Sequence, residues 1–275
     1  MSTPVERTRA RQAILATCAI YLGYGVLGLV PGVASARGLL LVAAFYFVPG
    51  WLLRREPEVQ ARYQVGPEGP IPPWSWRGAK VAAIAAAILF PPFVLGFWWF
   101  YAQVCRGDFT LVSPITWAES LTPWSGSVGH VIARLCHHYG GAEGSILPEA
   151  LRIPAAWSAY HGLGFVYEVA IGLFAVALAE EVFHRGYLMS ALEERWPPRR
   201  RIFGVPLGLG AVLSSLLFAL GHLVSMAQIG RLATFFPALV FAWLWRRSGS
   251  LWAPALFHTA ANLLMDGLLA STFPP

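Results

Sequence analysis

The chain has 275 residues, of which 56% are hydrophobic and only 12% are charged, whereas a soluble domain usually carries about 25% charged residues. This composition excludes an ordinary cytosolic protein, and 12 Trp, 17 Phe and 9 Tyr supply the aromatic rings that are enriched at membrane interfaces. The formal net charge of +6 does not indicate nucleic-acid binding, because the Lys and Arg residues lie between hydrophobic segments and form no single basic face.

Seven apolar segments approach the length of about 20 residues that a helix needs to cross a bilayer. A helix satisfies its own backbone polar groups, so these segments are predicted to be helical. They are approximately 13–30, 38–53, 78–101, 160–192, 204–224, 231–247 and 251–270. We therefore predict one integral membrane domain over 1–275, an all-α polytopic transmembrane bundle of about seven or eight helices. Kinks are expected at the prolines in or near these segments, which are Pro49, Pro91, Pro92, Pro237 and Pro254.

The first apolar segment could also be read as a signal peptide, because Arg7, Arg9 and Arg11 precede it and an Ala-Ser-Ala sequence follows at 34–36. Signal peptides usually have an apolar region of about 7–15 residues. The segment 13–30 is longer than that, so we favour a membrane span, with cleavage as the alternative.

The positive charges predict the orientation, since Lys and Arg are retained on the cytoplasmic side. With the N-terminus in the cytoplasm, most of the 20 cations fall in cytoplasmic segments. These are Arg7, Arg9, Arg11, Arg54, Arg55, Arg62, Arg77, Lys80, Arg195, Arg199, Arg200, Arg201, Arg246 and Arg247. The outer segments hold only Arg37, Arg106, Arg134, Arg152 and Arg231. The remaining cation, Arg185, falls within the fourth apolar segment.

An outer loop is predicted at about 102–159, and a shorter, ordered interfacial loop at about 54–77. The outer loop contains two of the three cysteines and three histidines. They are Cys105, Cys136, His130, His137 and His138. These residues lack a recognised metal-ligand spacing, so we expect no metal and no cofactor there. A disulfide between the two cysteines is permitted if the loop lies in an oxidising compartment, but nothing requires it.

The fourth segment places four ionisable residues within six positions, after an apolar run that begins at Ala170. They are Glu180, Glu181, His184 and Arg185. A charged side chain at the centre of a membrane helix costs about 2.5–3.5 kcal/mol on insertion scales, so such residues favour a functional interpretation. The alternative is that the helix has ended and water solvates them, but Arg195 and Trp196 mark a better interface further along.

Helical spacing separates the roles of these residues. Glu181 and Arg185 lie four residues apart and are predicted to form an ion pair along one helix face. Glu180 is then the free carboxylate. Because His184 lies one turn after Glu180, a purely structural contact between those two is the alternative.

Two later segments each contribute a histidine. His222 follows Phe218 by four residues near the end of the fifth segment, where a lone histidine is usually an interface residue. In the seventh segment, His258 and Asn262 share one face among small residues that let a neighbouring helix approach closely. A histidine and an amide on one face at membrane depth indicate a shared partner.

Together these residues resemble the three motifs of the CAAX protease and bacteriocin-processing family, also called Abi, which includes the type II CAAX prenyl endopeptidases. The patterns, in order, are Glu180-Glu-x-x-x-Arg185, Phe218-x-x-x-His222 and His258-x-x-x-Asn262. The motif-bearing part is about 160–270, and residues 1–150 carry nothing specific to the family. Each motif alone is weak, but three in order in separate hydrophobic segments are strong evidence.

The resemblance implies a glutamate-dependent intramembrane endopeptidase, a hydrolase of a bacterial plasma membrane. In that picture Glu180, assisted by His222, activates a water molecule as general base. His258 and Asn262 stabilise the oxyanion of the tetrahedral intermediate. The supporting residues are Glu181 and Arg185. The implied partners are the lipid bilayer and a membrane-embedded or membrane-anchored protein or peptide. The sequence leaves its class open between a prenylated C-terminus, a bacteriocin leader and a sorting-signal helix.

Two other interpretations use the same residues. Zinc could be held by Glu180, His222 and His258, but the sequence has no His-Glu-x-x-His and Asn262 would have no ligand role. A proton-coupled transporter or a catalytically silent scaffold also accounts for buried ionisable residues. A transporter should show inverted repeats or paired broken helices, and we find neither in the sequence.

The expected depth of the site raises a question about the side of cleavage. At 1.5 Å per residue, Glu180 lies about 22 Å from Arg195, in the outer half of the membrane. The CAAX-type relatives process cytosolic tails, which favours the opposite side. A helix break near Gly186 would reconcile the two expectations.

Overall fold

A computed structural model describes residues 3–66, 71–105, 152–159, 162–226 and 229–272. Over these ranges the chain is an all-α helical bundle with a small β-hairpin, which confirms the predicted fold class. The helices are α1 (Pro4–Leu27), α2 (Arg37–Leu52), α3 (Pro57–Tyr63), α4 (Trp76–Cys105), α5 (Ala155–Ser158), α6 (164–195), α7 (Leu209–Met226), α8 (Phe235–Ser248) and α9 (Trp252–Thr272). A 3₁₀ turn, Ile229–Thr234, precedes α8. The three histidines of the outer loop and Cys136, the second cysteine of the permitted disulfide, fall outside the described residues.

Helix α6 is continuous but alternates between two backbone hydrogen-bonding patterns. Its α-helical stretches are Gly164–Ala170, Leu178–Glu181 and Ser190–Arg195, and its π-helical stretches are Ile171–Ala177 and Val182–Met189. π-Helical turns inside α-helices are found frequently at functional sites. The helix break near Gly186, considered as a way to reconcile the two expected depths, is not present, because the helix runs through this residue. A Cβ at Gly186 would lie 2.8 Å from the carbonyl oxygen of Tyr63, so the glycine allows α3 to approach α6 closely.

The central position of α6 explains why so much of it is buried. Helices α1, α2, α7, α8 and α9 all pack against it. Every residue from Glu181 to Glu193 is buried, and the apolar ones belong to the main hydrophobic core. The ionisable residues of the fourth predicted segment therefore lie at the centre of the bundle.

Apolar helices and apolar outer surfaces identify the chain as a membrane protein. Helix α1 and the Trp76–Tyr101 part of α4 are long and apolar enough to cross a membrane, while α2 and Leu209–Ser225 are apolar but shorter. Large apolar side chains point outward from these helices, as Leu22 and Leu95 do at 66% exposure each. Such surfaces are stable against lipid and not against water. The other predicted spans fall on α6, α8 and α9, where polar side chains interrupt the apolar sequence.

The start of the fifth predicted span is wrong. Residues 200–207 form a β-hairpin, with β1 (Arg200–Ile202) antiparallel to β2 (Val205–Leu207), and α7 begins only at Leu209. Phe203 and Gly204 connect the strands with φ angles of 47° and 77°. Two positive φ angles are the signature of the two-residue turn that suits the right-handed twist of a hairpin.

The prolines divide into two groups by their positions in the helices. Pro49 lies inside α2, and Pro91 and Pro92 lie inside α4, where each removes a backbone hydrogen bond. Pro237 and Pro254 lie in the first turns of α8 and α9, where the missing N–H has no helical partner to lose. The expected kinks therefore stay a prediction, and the helix interiors of the first group are where proline favours them.

Ion pairs bring the predicted cytoplasmic segments together at one end of the bundle. Arg9 at the start of α1 pairs with Glu56 before α3 and with Glu194 at the end of α6. Glu194 also accepts from Arg62 at 2.5 Å, and Arg246 at the end of α8 pairs with Glu193. We call this set the basal network. Its existence shows that these four segments share one side of the molecule, as the distribution of positive charge predicted.

Candidate active site

The predicted ion pair on α6 is present and fully buried. Arg185 Nε lies 3.1 Å from Glu181 Oε2, and both side chains are 0% exposed. Arg185 Nη2 also donates to the carbonyl oxygen of Ala238 on α8 at 3.0 Å. The guanidinium group lies 4.7 Å and 5.1 Å from the ring centroids of Phe218 and Phe241. The cation is therefore balanced by one carboxylate and held between two aromatic rings.

Glu181 has a second contact that the sequence analysis did not predict. Its Oε1 lies 3.2 Å from Nδ1 of His258 on α9. A carboxylate accepts hydrogen bonds, so Nδ1 of His258 carries the proton and donates it to Glu181. The ring of His258 also stacks on Phe241, with centroids 4.5 Å apart. Glu181 thus fixes the orientation of His258 and aims its other nitrogen, Nε2, away from the ion pair.

Glu180 is the carboxylate that these contacts leave unused. Its Oε2 lies 3.9 Å from Nε2 of His258, too far for a hydrogen bond. This oxygen is buried and has no hydrogen-bond partner within the part of the chain that the structure describes. The side chain as a whole is 15% exposed. A buried carboxylate oxygen without a hydrogen-bond partner destabilises the folded protein. Such an oxygen is typical of a group that is retained for catalysis.

His222 lies on α7 close to the same cluster. Its Nδ1 donates to the carbonyl oxygen of Phe218 at 3.0 Å, which leaves Nε2 as the acceptor of the neutral ring. The ring of Phe218 lies 4.4 Å from that of His222 and 6.2 Å from that of His258. His222 is half-buried, so it is not a solvated residue at the end of a span. The described residues show no hydrogen bond between His222 and Glu180.

Asn262 lies one turn beyond His258 on α9 and is exposed. No hydrogen bond of its amide group is seen within the described ranges. The structure therefore brings Glu180, Glu181, Arg185 and His258 into one cluster, with His222 beside it. Asn262 remains at the edge, on the same helix as His258.

A structural contact between His184 and Glu180 was the alternative predicted from their spacing. The two residues are in contact, but His184 binds the backbone of Glu180 and not its carboxylate. Its Nδ1 donates to the backbone carbonyl oxygen of Glu180 at 2.9 Å. Its Nε2 lies 3.0 Å from the hydroxyl oxygen of Tyr21 on α1. Tyr21 carried no sequence signal, because its partner lies 163 positions away.

The described residues contain no group of three His, Cys, Asp or Glu side chains arranged to hold a metal ion. The set named for zinc in the sequence analysis consists of Glu180, His222 and His258. In this structure Glu180 and His258 approach each other, while His222 contacts the cluster through Phe218.

These features define a helical membrane protein with a buried Glu–His–Arg cluster at its centre. Residues 162–264 match the family model described as "Type II CAAX prenyl endopeptidase Rce1-like". The matched range contains all three motifs, so the match confirms the resemblance predicted from them and supports CAAX-type endopeptidase activity in general. Comparison with curated proteins and with solved structures found no match.

Proposed function

We propose that this chain is an intramembrane endopeptidase that hydrolyses a peptide bond through a water molecule activated by Glu180 and a histidine. The observation that carries the proposal is the unpartnered, buried Oε2 of Glu180 facing Nε2 of His258 at 3.9 Å. A carboxylate and an imidazole at this separation can both contact one water molecule at normal hydrogen-bond distances. The match to an endopeptidase family over the same residues supports this interpretation.

In the first step Glu180 accepts a proton from the water, and the hydroxide adds to the carbonyl carbon of the peptide. His222 assists, because its neutral ring presents Nε2 as an acceptor once Nδ1 is bound to Phe218. General acid–base catalysis of this kind typically contributes about 10²–10⁴-fold to the rate.

The second step needs donors for the oxyanion and a proton for the leaving amine. His258 supplies a donor when its Nε2 is protonated, and Glu181 balances the resulting charge through Nδ1. The amide of Asn262, one turn further on α9, supplies a second donor to a substrate that lies along this helix. Glu180 returns its proton to the departing nitrogen, the C–N bond breaks, and the enzyme regains its starting state.

The decisive experiment compares two glutamates of α6. Glu180→Gln removes the base while keeping the size of the side chain, and Glu168→Gln makes the same change twelve residues earlier on the same helix. Membrane-anchored test peptides, with and without a lipidated C-terminal segment, are incubated with purified protein in liposomes. We expect Glu180→Gln to abolish cleavage and Glu168→Gln to cut at the wild-type rate. Equal cleavage rates for Glu180→Gln and wild type would show that Glu180 is not the general base.

A metal-dependent reaction would use the same side chains, and chelation distinguishes the two. We expect prolonged dialysis against a chelator to leave the rate unchanged. Loss of activity that zinc alone restores would replace the glutamate mechanism with a zinc mechanism.

The proposed setting is a bacterial plasma membrane, with the N-terminus and the basal network in the cytoplasm. In a cysteine-free background, Phe203→Cys in the β-hairpin and Ile153→Cys before α5 introduce thiols at residues that are 88% and 71% exposed. A membrane-impermeant thiol reagent added outside whole cells should label the second variant and not the first. The opposite pattern would invert the topology without changing the site.

A further inference from the structure

Tyr21 is a buried polar residue on α1 whose hydroxyl reaches the site from outside the matched family region. The whole residue is 8% exposed, and its hydroxyl oxygen lies 3.0 Å from Nε2 of His184. The ring of Phe45 on α2 contacts it edge-on, with centroids 5.9 Å apart. The match to the family begins only at residue 162, so Tyr21 belongs to a part of the chain that the family motifs do not describe.

The direction of each hydrogen bond follows from the partners of His184. The carbonyl oxygen of Glu180 can only accept, so Nδ1 of His184 carries the proton. The rings of Phe45, Phe183 and Phe218 surround the imidazole at 5.0–5.2 Å, and no carboxylate oxygen contacts it within the described residues. The neutral ring therefore accepts at Nε2, and the Tyr21 hydroxyl donates to it. Hydroxyl, imidazole and the Glu180 backbone form one chain of hydrogen bonds.

The ring of Tyr21 also sets the position of the neighbouring motif helix. A Cβ at Gly221 on α7 would lie 2.0 Å from Cζ of Tyr21. Only glycine allows α7 to pack this closely against the tyrosine, and the next residue along α7 is His222. Tyr21 is thus wedged between the helix that carries Glu180 and the helix that carries His222.

We propose that Tyr21 is a positioning residue for the proposed peptide hydrolysis. Its hydroxyl acts through His184 to fix the backbone at Glu180, between the two π-helical stretches of α6. Its ring holds α7 at the distance that places His222 beside the cluster. The inference rests on the proposed function, since the residue being positioned is the proposed general base.

Tyr21→Phe removes the hydroxyl and keeps the ring, so it tests the hydrogen-bond chain alone. We expect kcat to fall by about tenfold, the effect of one lost hydrogen bond. KM should stay unchanged, because Tyr21 is buried and acts through His184. In a His184→Leu background the same change should have no further effect, since the link is already broken. A Tyr21→Phe variant with the wild-type kcat, or one whose loss adds fully to that of His184→Leu, would overturn the proposal.

Tyr46→Phe is the matched control. It removes another hydroxyl that donates to the α6 backbone, at the carbonyl oxygen of Phe174 and at 2.5 Å, without touching His184. We expect its kcat to stay within about twofold of the wild-type value.

A measurement that needs no activity separates this inference from the proposed function. In protein labelled with ¹⁵N-histidine, the His184 signals should report a proton on Nδ1, and the Nε2 signal should shift in Tyr21→Phe but not in Tyr46→Phe. The opposite tautomer in the wild type overturns the hydrogen-bond chain, whether or not the variants fold. If the signals behave as expected but the wild type cleaves no peptide, the proposed function fails. If Glu180→Gln abolishes cleavage and Tyr21→Phe does not slow it, only the positioning role fails.

Discussion

The basal network and the central site are both built from arginine and glutamate, but they differ in how many carboxylates their arginine contacts. In the basal network, Arg9 contacts the carboxylates of both Glu56 and Glu194. In the central site, Arg185 forms an ion pair with Glu181, and Oε2 of the adjacent Glu180 has no hydrogen-bond partner among the described residues.

The difference lies in how many acceptors each arginine can reach. Arg9 lies near the start of α1, where separate chain segments meet, and its guanidinium group joins carboxylates from two of them. Arg185 is on the same helix as both glutamates, and one helix turn aligns only one of them with it. The ion pairs of the basal network hold helix ends together. At the central site, the unpartnered oxygen of Glu180 is a group that can accept a proton.

The largest expected effect tests whether the central site is chemical. His222→Ala should lower kcat by about 10²–10⁴-fold because it removes the partner of the proposed base. The far-ultraviolet circular dichroism of the purified variant should match that of the wild type, since His222 is half-buried and bonds only within its own helix. Ser225→Ala, one turn further along α7, should leave cleavage unchanged. A fully active His222→Ala variant would show that Glu180 works without this histidine.

The second effect separates the clusters by stability. Glu181→Gln leaves the fully buried Arg185 without a counter-charge and should destabilise the protein by about 3–5 kcal/mol, with loss of activity because His258 also loses its acceptor. Glu194→Gln makes the same change in the basal network, where Arg9 keeps Glu56 as a partner.

We expect the loss for Glu194→Gln to be about 1 kcal/mol, with cleavage retained. Thermal unfolding of both variants in one detergent checks the difference. Equal losses of stability in the two variants would mean that neither the burial of an ion pair nor the number of its partners determines its contribution to stability.

The third effect concerns the proposed oxyanion donors. His258→Ala and Asn262→Ala should each reduce kcat, by roughly 10²–10³-fold for a donor that is fully engaged. Asn262 is exposed and makes no hydrogen bond within the described ranges, so its effect should appear only with substrate bound. Single-turnover rates at saturating peptide measure it. An Asn262→Ala variant with unchanged chemistry would limit the oxyanion site to His258.

The smallest effect is a dependence of stability on pH at the basal end. Burial raises the pKa of Glu193 above its ordinary value of 4.5, and Arg246 offsets this only in part. The folded state therefore binds the proton more tightly than the unfolded state. The contribution of Glu193 to stability is fully present below pH 4.5 and is lost as the pH rises through the folded-state pKa.

We expect Glu193→Gln to remove this loss, so that its Tm falls less than that of the wild type between pH 4.5 and 7. Glu194→Gln serves as the control. Parallel profiles of Tm against pH for wild type and Glu193→Gln would show that ionisation of Glu193 does not lower the stability of the folded protein.

Local sequence patterns predicted a large part of this structure. Apolar length located the seven long helices, and the four-residue spacing of Glu181 and Arg185 predicted their ion pair. The same spacing singled out Glu180 as the free carboxylate. The helices and the ion pair are confirmed because each depends on residues within one helix, whereas the role of Glu180 stays a prediction.

The remaining features depend on residues that are far apart in sequence. The contact of Glu181 with His258 spans 77 positions, and no periodicity within α6 or α9 reports it. Tyr21 looks like any aromatic residue of an apolar helix until α6 is placed beside it. The role of Gly186 was not predictable for the same reason, because the close approach of Tyr63 explains the glycine and is not visible in the local sequence.

The two contacts of Glu181 also differ in when they can form during synthesis. Its ion pair with Arg185 lies within one helix, so it can form as soon as α6 is complete and allow both charges to enter the bilayer as a neutral unit. Its contact with His258 needs α9, which is synthesised after the other described helices. The order of these helices along the chain therefore delays assembly of the site until α9 has joined them.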